Sequence, residues 1–182
     1  MYFDCIMAGF GGQGILSAGM MLAHMAVSQN LNATWFPSYG AEQRGGTANC
    51  MVVVSDEEIG SPVITKPHFG FIMNYPSLVK FQPRFKTDAG VILDTSLIPL
   101  EYINRKDINF YGINATELAE KLGNVKVSNV LMIGSLLKVS NLFDLTIAEE
   151  ALKYAIPEKY HHLLDINKKA LETGFKEVKK LY

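Results

Sequence analysis

The apolar positions of the chain follow two periods, which divide it into strands and helices. Short apolar runs that end at glycine, proline or polar residues predict strands, whereas apolar residues spaced three or four apart predict helices. Strands are predicted at 1–8, 33–36, 47–54, 69–73, 90–93 and 109–111. Helices are predicted at about 15–29, 76–81, 116–122, 129–139, 146–155 and 158–178. The strands crowd into the first 111 positions, so the pattern predicts one α/β domain over 1–182 with a helical C-terminal third.

Two segments rich in glycine and polar residues follow the first two predicted strands. The strand at 1–8, a glycine loop, the helix at 15–29 and the strand at 33–36 form a predicted β-α-β unit, and Pro37 is expected to end its second strand. The polar segment 38–46 is predicted to be a loop. Ligands bind beyond the carboxyl ends of the strands in open parallel sheets, so both loops are expected at one functional edge.

The amino-acid composition limits the functions that this chain can have. The formal charge is −1, from 17 Lys and Arg against 18 Asp and Glu, which argues against nucleic acid as a partner. Charged residues make up 19%, below the roughly 25% of soluble domains, so part of the surface is expected to contact other proteins. The two cysteines are too few for a four-thiolate iron–sulfur cluster. No signal peptide or membrane span is recognisable, and we expect a cytoplasmic protein without membrane contact.

The first loop carries the glycine pattern of phosphate-binding turns. Gly9, Gly11 and Gly14 match G-x-G-x-x-G between a strand and a helix, where backbone amides and the positive helix end favour a phosphate. NAD or FAD binding would also require an acid near the end of the second strand, and none occurs before Glu42. The alternative is that the glycines only permit close packing of the strand against the helix. Gln13 is expected either to bind a ligand or to tie down the loop.

The second loop combines a guanidinium group with glycine backbone. Arg44 precedes Gly45 and Gly46, an arrangement that suits phosphate or carboxylate. The alternative is that Arg44 contacts Glu42 or a carbonyl group and merely orders the loop.

Other candidate residues favour structural roles. Cys5 and Cys50 lie in predicted strands and are expected to be buried, inert thiols. Asn74 and Asp94 follow predicted strands and are expected to cap the next turn. His68 has no acid or cysteine near it in sequence, and we expect neither a metal site nor a catalytic residue in this chain.

Taken together, the two loops resemble the γ subunit of the 2-oxoacid:ferredoxin oxidoreductases. The resembling segments are Gly9-Phe10-Gly11-Gly12-Gln13-Gly14 and Ser38-Tyr39-Gly40-Ala41-Glu42-Gln43-Arg44-Gly45-Gly46. Further matches are Gly60-Ser61-Pro62, Met73-Asn74, Pro76-Ser77, Thr116-Glu117-Leu118-Ala119, Gly123-Asn124, Asn129, Gly134, Asn167, Ala170 and Gly174. The run Arg44-Gly45-Gly46-Thr47-Ala48-Asn49-Cys50 looks more like the 2-oxoglutarate and branched-chain types than the pyruvate type.

The resemblance implies a subunit without activity of its own. Complexes of this family decarboxylate a 2-oxoacid on thiamine diphosphate, reduce ferredoxin through iron–sulfur clusters and acylate coenzyme A. Thiamine diphosphate, Mg²⁺ and the clusters are expected only in the α-, β- and δ-type partner subunits. The γ subunit is expected to have a Rossmann-like three-layer fold with a mostly parallel sheet, and to help bind coenzyme A.

Ligand roles are carried only onto the matching positions of the two loops. They are Gly11, Gly12, Gln13, Gly14, Ser38, Tyr39, Arg44, Gly45 and Gly46. Three alternatives stay open: a branched-chain or pyruvate type of the same complex, a free-standing NAD(P)-linked oxidoreductase, and a purely structural subunit whose loops contact only protein.

Overall fold

A mixed sheet forms the middle of the computed structural model, which describes residues 1–39 and 46–181. Its strands are β1 (Tyr2–Phe10), β2 (Asn32–Tyr39), β3 (Thr47–Ser55), β4 (Phe69–Ile72), β5 (Gly90–Asp94), β6 (Asn109–Ile113) and β7 (Lys179–Lys180). The helices are α1 (Ile15–Ser28), α2 (Tyr75–Phe81), α3 (Ala115–Lys121), α4 (Ser128–Ser140), α5 (Leu145–Ala155) and α6 (Leu164–Glu177). Short 3₁₀ segments lie at Gln82–Arg84, Leu100–Tyr102, Val125–Val127 and Glu158–Leu163.

The strand order is β2-β3-β1-β4-β5-β6-β7. Strand β3 pairs antiparallel with both β1 and β2, while β1, β4, β5 and β6 pair in parallel. Strands β1, β2, β4, β5 and β6 therefore run one way and β3 and β7 the other, which confirms a mostly parallel sheet. The predicted β-α-β unit needs correction, because β3 lies between its two parallel strands.

Three predictions about the extent or number of strands and helices were wrong. Strand β2 continues through Pro37 to Tyr39, because β2 is the edge of the sheet and a proline there removes no ladder hydrogen bond. The strand at 109–111 is not the last, since β7 pairs with β6. The helix expected at 158–178 begins instead as the 3₁₀ segment Glu158–Leu163 and becomes α-helical at Leu164.

Both faces of the sheet are covered by apolar layers. One cluster contains Cys5 and Met7 of β1 together with buried residues of α1, α4, α5 and α6. The other contains Ile6 and Ala8 of β1 with Leu78 of α2. The alternation along β1 places successive side chains in opposite layers, as a doubly covered strand requires. The expected three-layer architecture and the helical C-terminal region are confirmed. Among the described residues, no helix combines the length and the apolar character needed to cross a membrane.

Helices α4 and α6 approach each other through glycines. A methyl group on Gly134 would overlap the carbonyl oxygen of Leu171, and one on Gly174 would overlap that of Leu131. Side chains larger than hydrogen would push the two backbones apart. Gly134 and Gly174 were matched only through the resemblance, and the structure gives them a packing role.

Candidate functional site

The loop after β1 lies where the chain changes sides of the sheet. Helix α1, which follows β1, packs in one apolar layer, whereas α2, which follows the neighbouring strand β4, packs in the other. The crevice between the carboxyl ends of such strands is the usual ligand position in open α/β sheets. The structure therefore places the glycine loop at the topological switch point.

Glycine is required at several positions of this loop for different reasons. Gly12 and Gly14 have φ values of 101° and 74°, which L side chains rarely adopt. A β-carbon at Gly9 would lie 2.7 Å from Oε1 of Gln13 and 2.8 Å from Cδ1 of Ile15. Close packing thus explains Gly9, while Gly12 has no neighbour near such a carbon and is open to the cleft.

Gln13 holds the loop in place across the switch point. Its Oε1 accepts a hydrogen bond from the backbone N–H of Phe10 at 2.6 Å, and its Nε2 donates to the carbonyl oxygen of Met73 at 3.3 Å. The loop-tying role considered for Gln13 is therefore present in the structure. A primary amide has two N–H groups and two lone pairs, so each end keeps one for a ligand.

Asn129 fixes the other end of the loop. Its Nδ2 donates to the carbonyl oxygen of Gly14 at 3.0 Å, from the start of α4. A β-carbon at Gly14 would lie 2.5 Å from that nitrogen. Asn129 was identified only through the family resemblance, because no periodicity or local spacing connects positions 115 residues apart.

A cleft of about 520 Å³ opens over the loop. Its described lining consists of Phe10, Gly11, Gly12, Gly14, Ile15, Leu16, Ser17 and Ala48. The backbone N–H groups of Gly12, Gly14, Ile15 and Leu16 find no acceptor among the described residues. This lining offers backbone donors and one hydroxyl group, with no carboxylate, imidazole or thiol. It can bind an anion such as a diphosphate, but it offers no described group to move a proton or to hold a ribose through an acid.

The second loop meets the first at its described ends. Gly11 N–H donates to the carbonyl oxygen of Gly46 at 2.9 Å. Ser38 and Tyr39, predicted in the loop, belong to β2 and pair with Asn49 and Ala48. Arg44 and Gly45 lie outside the described residues. The described part therefore brings Gly46 and the end of β2 to the same edge as the glycine loop.

The remaining candidates are structural in the described chain. Cys5 and Cys50 are fully buried, and burial raises the pKa of both thiols, that of Cys50 to about 12. Asn74 caps α2 through its Oδ1, which accepts from Ser77 N–H at 2.8 Å. Asp94 accepts from Ser96 N–H at 3.1 Å and also from the Thr116 hydroxyl at 2.6 Å. The predicted burial of both thiols and the predicted capping by Asn74 and Asp94 are confirmed.

Sequence reasoning missed the acid partner of His68. Asp4, which is 2% exposed, accepts from the backbone N–H of His68 at 2.7 Å, and its other oxygen lies 2.6 Å from His68 Nδ1. Lys86 Nζ lies 2.7 Å from His68 Nε2. Asp4 lies in the first half of β1, away from the carboxyl edge that holds the glycine loop, so this cluster is separate from the cleft.

Comparison with known proteins identifies the family. The family model described as Pyruvate ferredoxin/flavodoxin oxidoreductase matches residues 4–177. The chain belongs to this family. The family membership inferred from the two loops is confirmed.

Two relatives in this family differ in how much of their length corresponds to this chain. Ketoisovalerate oxidoreductase subunit VorA of Methanothermobacter thermautotrophicus is 37% identical over 92% of this chain, which spans only 34% of VorA. 2-oxoglutarate synthase subunit KorC of Methanothermobacter marburgensis is 34% identical over 82% of this chain and 84% of its own length. The chain thus corresponds to about a third of one relative and to most of the other.

Solved structures of the family share the fold. The γ subunit of a keto/oxoacid ferredoxin oxidoreductase from Geobacter sulfurreducens has a TM-score of 0.84 at 22% identity, covering 97% of this chain and 96% of its own. The 2-oxoglutarate:ferredoxin oxidoreductase of Magnetococcus marinus, solved with 2-oxoglutarate, coenzyme A and succinyl-CoA bound, has a TM-score of 0.82 at 22% identity. It covers 96% of this chain and 30% of its own chain.

Proposed function

We propose that this chain is the γ subunit of a thiamine-dependent 2-oxoacid:ferredoxin oxidoreductase and that it helps to bind coenzyme A and to assemble the complex. The reaction converts 2-oxoglutarate, coenzyme A and oxidised ferredoxin into succinyl-CoA, CO₂ and reduced ferredoxin. Thiamine diphosphate, Mg²⁺ and the iron–sulfur clusters would be held by the α-, β- and δ-type partners. They would supply the decarboxylation and the electron transfer.

The glycine-loop cleft is the observation that carries this proposal. Its described lining presents unpaired backbone N–H groups at a helix N-terminus and no titratable side chain. Such a surface suits the diphosphate of coenzyme A. This surface offers no group for a chemical step. The chain on its own would therefore bind and position coenzyme A without turning it over.

The choice of 2-oxoacid rests on the second loop and on the relatives. The run from Arg44 to Cys50 resembles the 2-oxoglutarate and branched-chain types, in agreement with a KorC and a VorA relative. Turnover of the purified complex with 2-oxoglutarate, 3-methyl-2-oxobutanoate and pyruvate would test this choice. A preference for the branched-chain acid would change the proposed substrate but would not affect the proposed role in coenzyme A binding.

Two glycines offer a matched test of the cleft. Gly12 and Gly123 both have positive φ values, 101° and 93°, and a β-carbon at either meets nothing within 4 Å. Alanine therefore introduces similar backbone strain at both, but only Gly12 lines the cleft. We expect Gly12→Ala to raise the Kd of the assembled complex for coenzyme A by about tenfold, or about 1.4 kcal/mol.

Gly123→Ala should leave that Kd unchanged. Equal effects of the two substitutions in equilibrium dialysis would contradict ligand contact at the loop. Arg44→Ala gives a second test, with an expected rise in the KM for coenzyme A while the complex stays assembled. An unchanged KM would remove Arg44 from the site and favour a purely structural second loop.

A further inference from the structure

Asp4, His68 and Lys86 form a hydrogen-bonded chain away from the glycine loop. Asp4 Oδ2 lies 2.6 Å from His68 Nδ1, and His68 Nε2 lies 2.7 Å from Lys86 Nζ. A carboxylate, an imidazole and a primary amine therefore follow one another, each within hydrogen-bond distance of the next. The same order of acid, base and nucleophile activates the attacking group in enzymes with a catalytic triad.

The fold holds these three residues beside one another. Asp4 lies in β1, and His68 directly precedes β4, the strand that pairs in parallel with β1. The backbone N–H of Lys86 donates to the carbonyl oxygen of Pro67 at 3.1 Å. The carbonyl oxygen of His68 accepts from Gly90 N–H, at the start of β5, at 2.9 Å. Backbone hydrogen bonds thus fix the main chain from which both the imidazole and the amine project.

The two nitrogens of the imidazole face different groups, and this fixes the position of its proton. Asp4 is 2% exposed, and its Oδ1 already accepts from the backbone N–H of His68 at 2.7 Å. Its Oδ2 therefore accepts the proton on Nδ1, which leaves a lone pair on Nε2 for the Lys86 amine. Lys86 forms no ion pair with a carboxylate of the described chain, so the imidazole is its polar partner.

We propose that Lys86 is an acyl-acceptor site, which reacts with acyl thioesters while His68 acts as its base. Lys86 is exposed and the side chain of His68 is 42% exposed, so an acyl donor reaches the amine from solvent. Asp4 is a positioning residue, which holds the proton on Nδ1 and stabilises the imidazolium. This modification goes beyond the proposed function and does not depend on it.

The reaction consumes one lysine ammonium group and one thioester, and it yields one amide, one thiol and one proton. His68 Nε2 takes a proton from Lys86 Nζ and releases it to solvent. The free amine attacks the carbonyl carbon of the thioester, and Nε2 takes a second proton from the nitrogen. The carbon–sulfur bond breaks, and the leaving thiolate accepts that proton. The lysine loses its positive charge, but the amide N–H still has Nε2 as an acceptor.

The test exposes the full-length chain at neutral pH to the acetyl thioester of N-acetylcysteamine, which lacks the nucleotide and the diphosphate of coenzyme A. Mass spectrometry of peptides measures the acetylation rate at each lysine. Lys86 should react about a hundredfold faster than Lys66 and Lys106, which are exposed and form no hydrogen bond with a histidine of the described chain. Equal rates at the three lysines would overturn this proposal and leave the proposed function untouched.

His68→Gln should lower the acetylation rate at Lys86 to that at Lys66, because the base is lost. His162→Gln is the matched control, since it removes an exposed imidazole elsewhere, and it should leave the rate at Lys86 unchanged. A fast reaction at Lys86 that persists in the His68 variant would contradict the role of His68 as base. The comparison among lysines of the unsubstituted chain decides the proposal even where the His68 variant does not fold.

Asp4→Asn tests the positioning role through the proton of the imidazole. The asparagine Oδ1 keeps the hydrogen bond from the His68 N–H, so its amide nitrogen faces Nδ1 and donates to it. The proton of the neutral ring should move to Nε2, and acetylation of Lys86 should slow by about tenfold or more. Nitrogen NMR of the ring identifies the tautomer. A ring proton on Nε2 in the unsubstituted chain, or an Asp4 variant with unchanged tautomer and rate, would refute the assignment.

Discussion

Asn129 donates a hydrogen bond to the carbonyl oxygen of Gly14 and so connects the start of α4 to the glycine loop 115 residues earlier in the chain. The same carbonyl also accepts from Ala18 N–H at 2.9 Å, within the first turn of α1. The loop conformation therefore depends on a helix in the C-terminal half of the protein. This contact links the stability of the helical layer to the shape of the ligand cleft.

Asn129→Ala should lower the free energy of unfolding by about 1 kcal/mol and weaken coenzyme A binding. The loss in free energy of unfolding stays near the contribution of one hydrogen bond, because the carbonyl oxygen of Gly14 still accepts a hydrogen bond from Ala18 N–H. Urea unfolding of the chain and equilibrium binding by the complex measure the two effects. Asn104→Ala, at an exposed asparagine whose side chain forms no hydrogen bond in the described chain, is the control. A variant as stable as the control would contradict this role for Asn129.

Gly134→Ala should destabilise the chain by about 3 kcal/mol or more, because the new methyl group overlaps the carbonyl oxygen of Leu171 in α6. Gly60→Ala places a methyl group in open space and should change stability by less than about 0.5 kcal/mol. Thermal unfolding of both variants makes the comparison. Similar melting temperatures would show that α4 and α6 can move apart at little cost.

Gln13→Glu should weaken coenzyme A binding more than Gln13→Ala does. The carboxylate removes the donor to Met73 O and places negative charge beside the expected diphosphate, whereas alanine only removes the tether. We expect about a tenfold rise in Kd for the glutamate variant. Gln29→Glu adds the same charge at the far end of α1 and should have no effect. Equal affinities of the two Gln13 variants would argue that no anion lies near this side chain.

Cys5 and Cys50 should resist thiol reagents at pH 8 in the folded chain and react after denaturation. Burial raises the pKa of Cys50 from the ordinary 9.0 to about 12, so its thiolate is scarce at that pH. The folded state holds this proton more tightly than the unfolded state does. The resulting stabilisation is complete below pH 9 and is lost as the pH rises towards 12. Fast labelling of native protein, or stability that is constant from pH 8 to 11, would contradict this assignment.

Asp4→Ala should destabilise the chain by about 3 kcal/mol without altering coenzyme A affinity. The substitution removes a buried carboxylate that holds both the backbone N–H and the ring of His68, at the edge of the sheet away from the cleft. Asp56→Ala breaks only an exposed ion pair with the N-terminal amine and should cost far less. Urea unfolding compares the two variants. A changed Kd for coenzyme A in the Asp4 variant would show that the two edges are coupled.

The sequence predicted the elements whose apolar pattern is strong. Strand β3 and helices α1 and α2 lie within about two positions of their predicted bounds, because their periodicity reports burial directly. It could not predict that Pro37 lies on an edge strand, since edge position depends on strand order. Nor could it predict β7, because Lys179 and Lys180 are exposed and give no apolar signal.

The same distinction applies to the candidate site. The glycine loop and Gln13 are contiguous in sequence, so their spacing could identify them. Asn129 and the acid partner of His68 reach their positions only through tertiary packing. The direction of a strand in the sheet could not be predicted either. An apolar strand such as β3 has the same pattern whether it runs parallel or antiparallel to its neighbours.

The insertion of β3 beside β1 has a consequence for synthesis on the ribosome. Strand β1 leaves the exit tunnel before both of its sheet neighbours, β3 and β4, have been translated. Domains of this size fold as units while the chain emerges N-terminus first. The glycine loop is therefore made well before α4, 115 residues earlier in the chain, and it reaches its final shape only when α4 supplies Asn129.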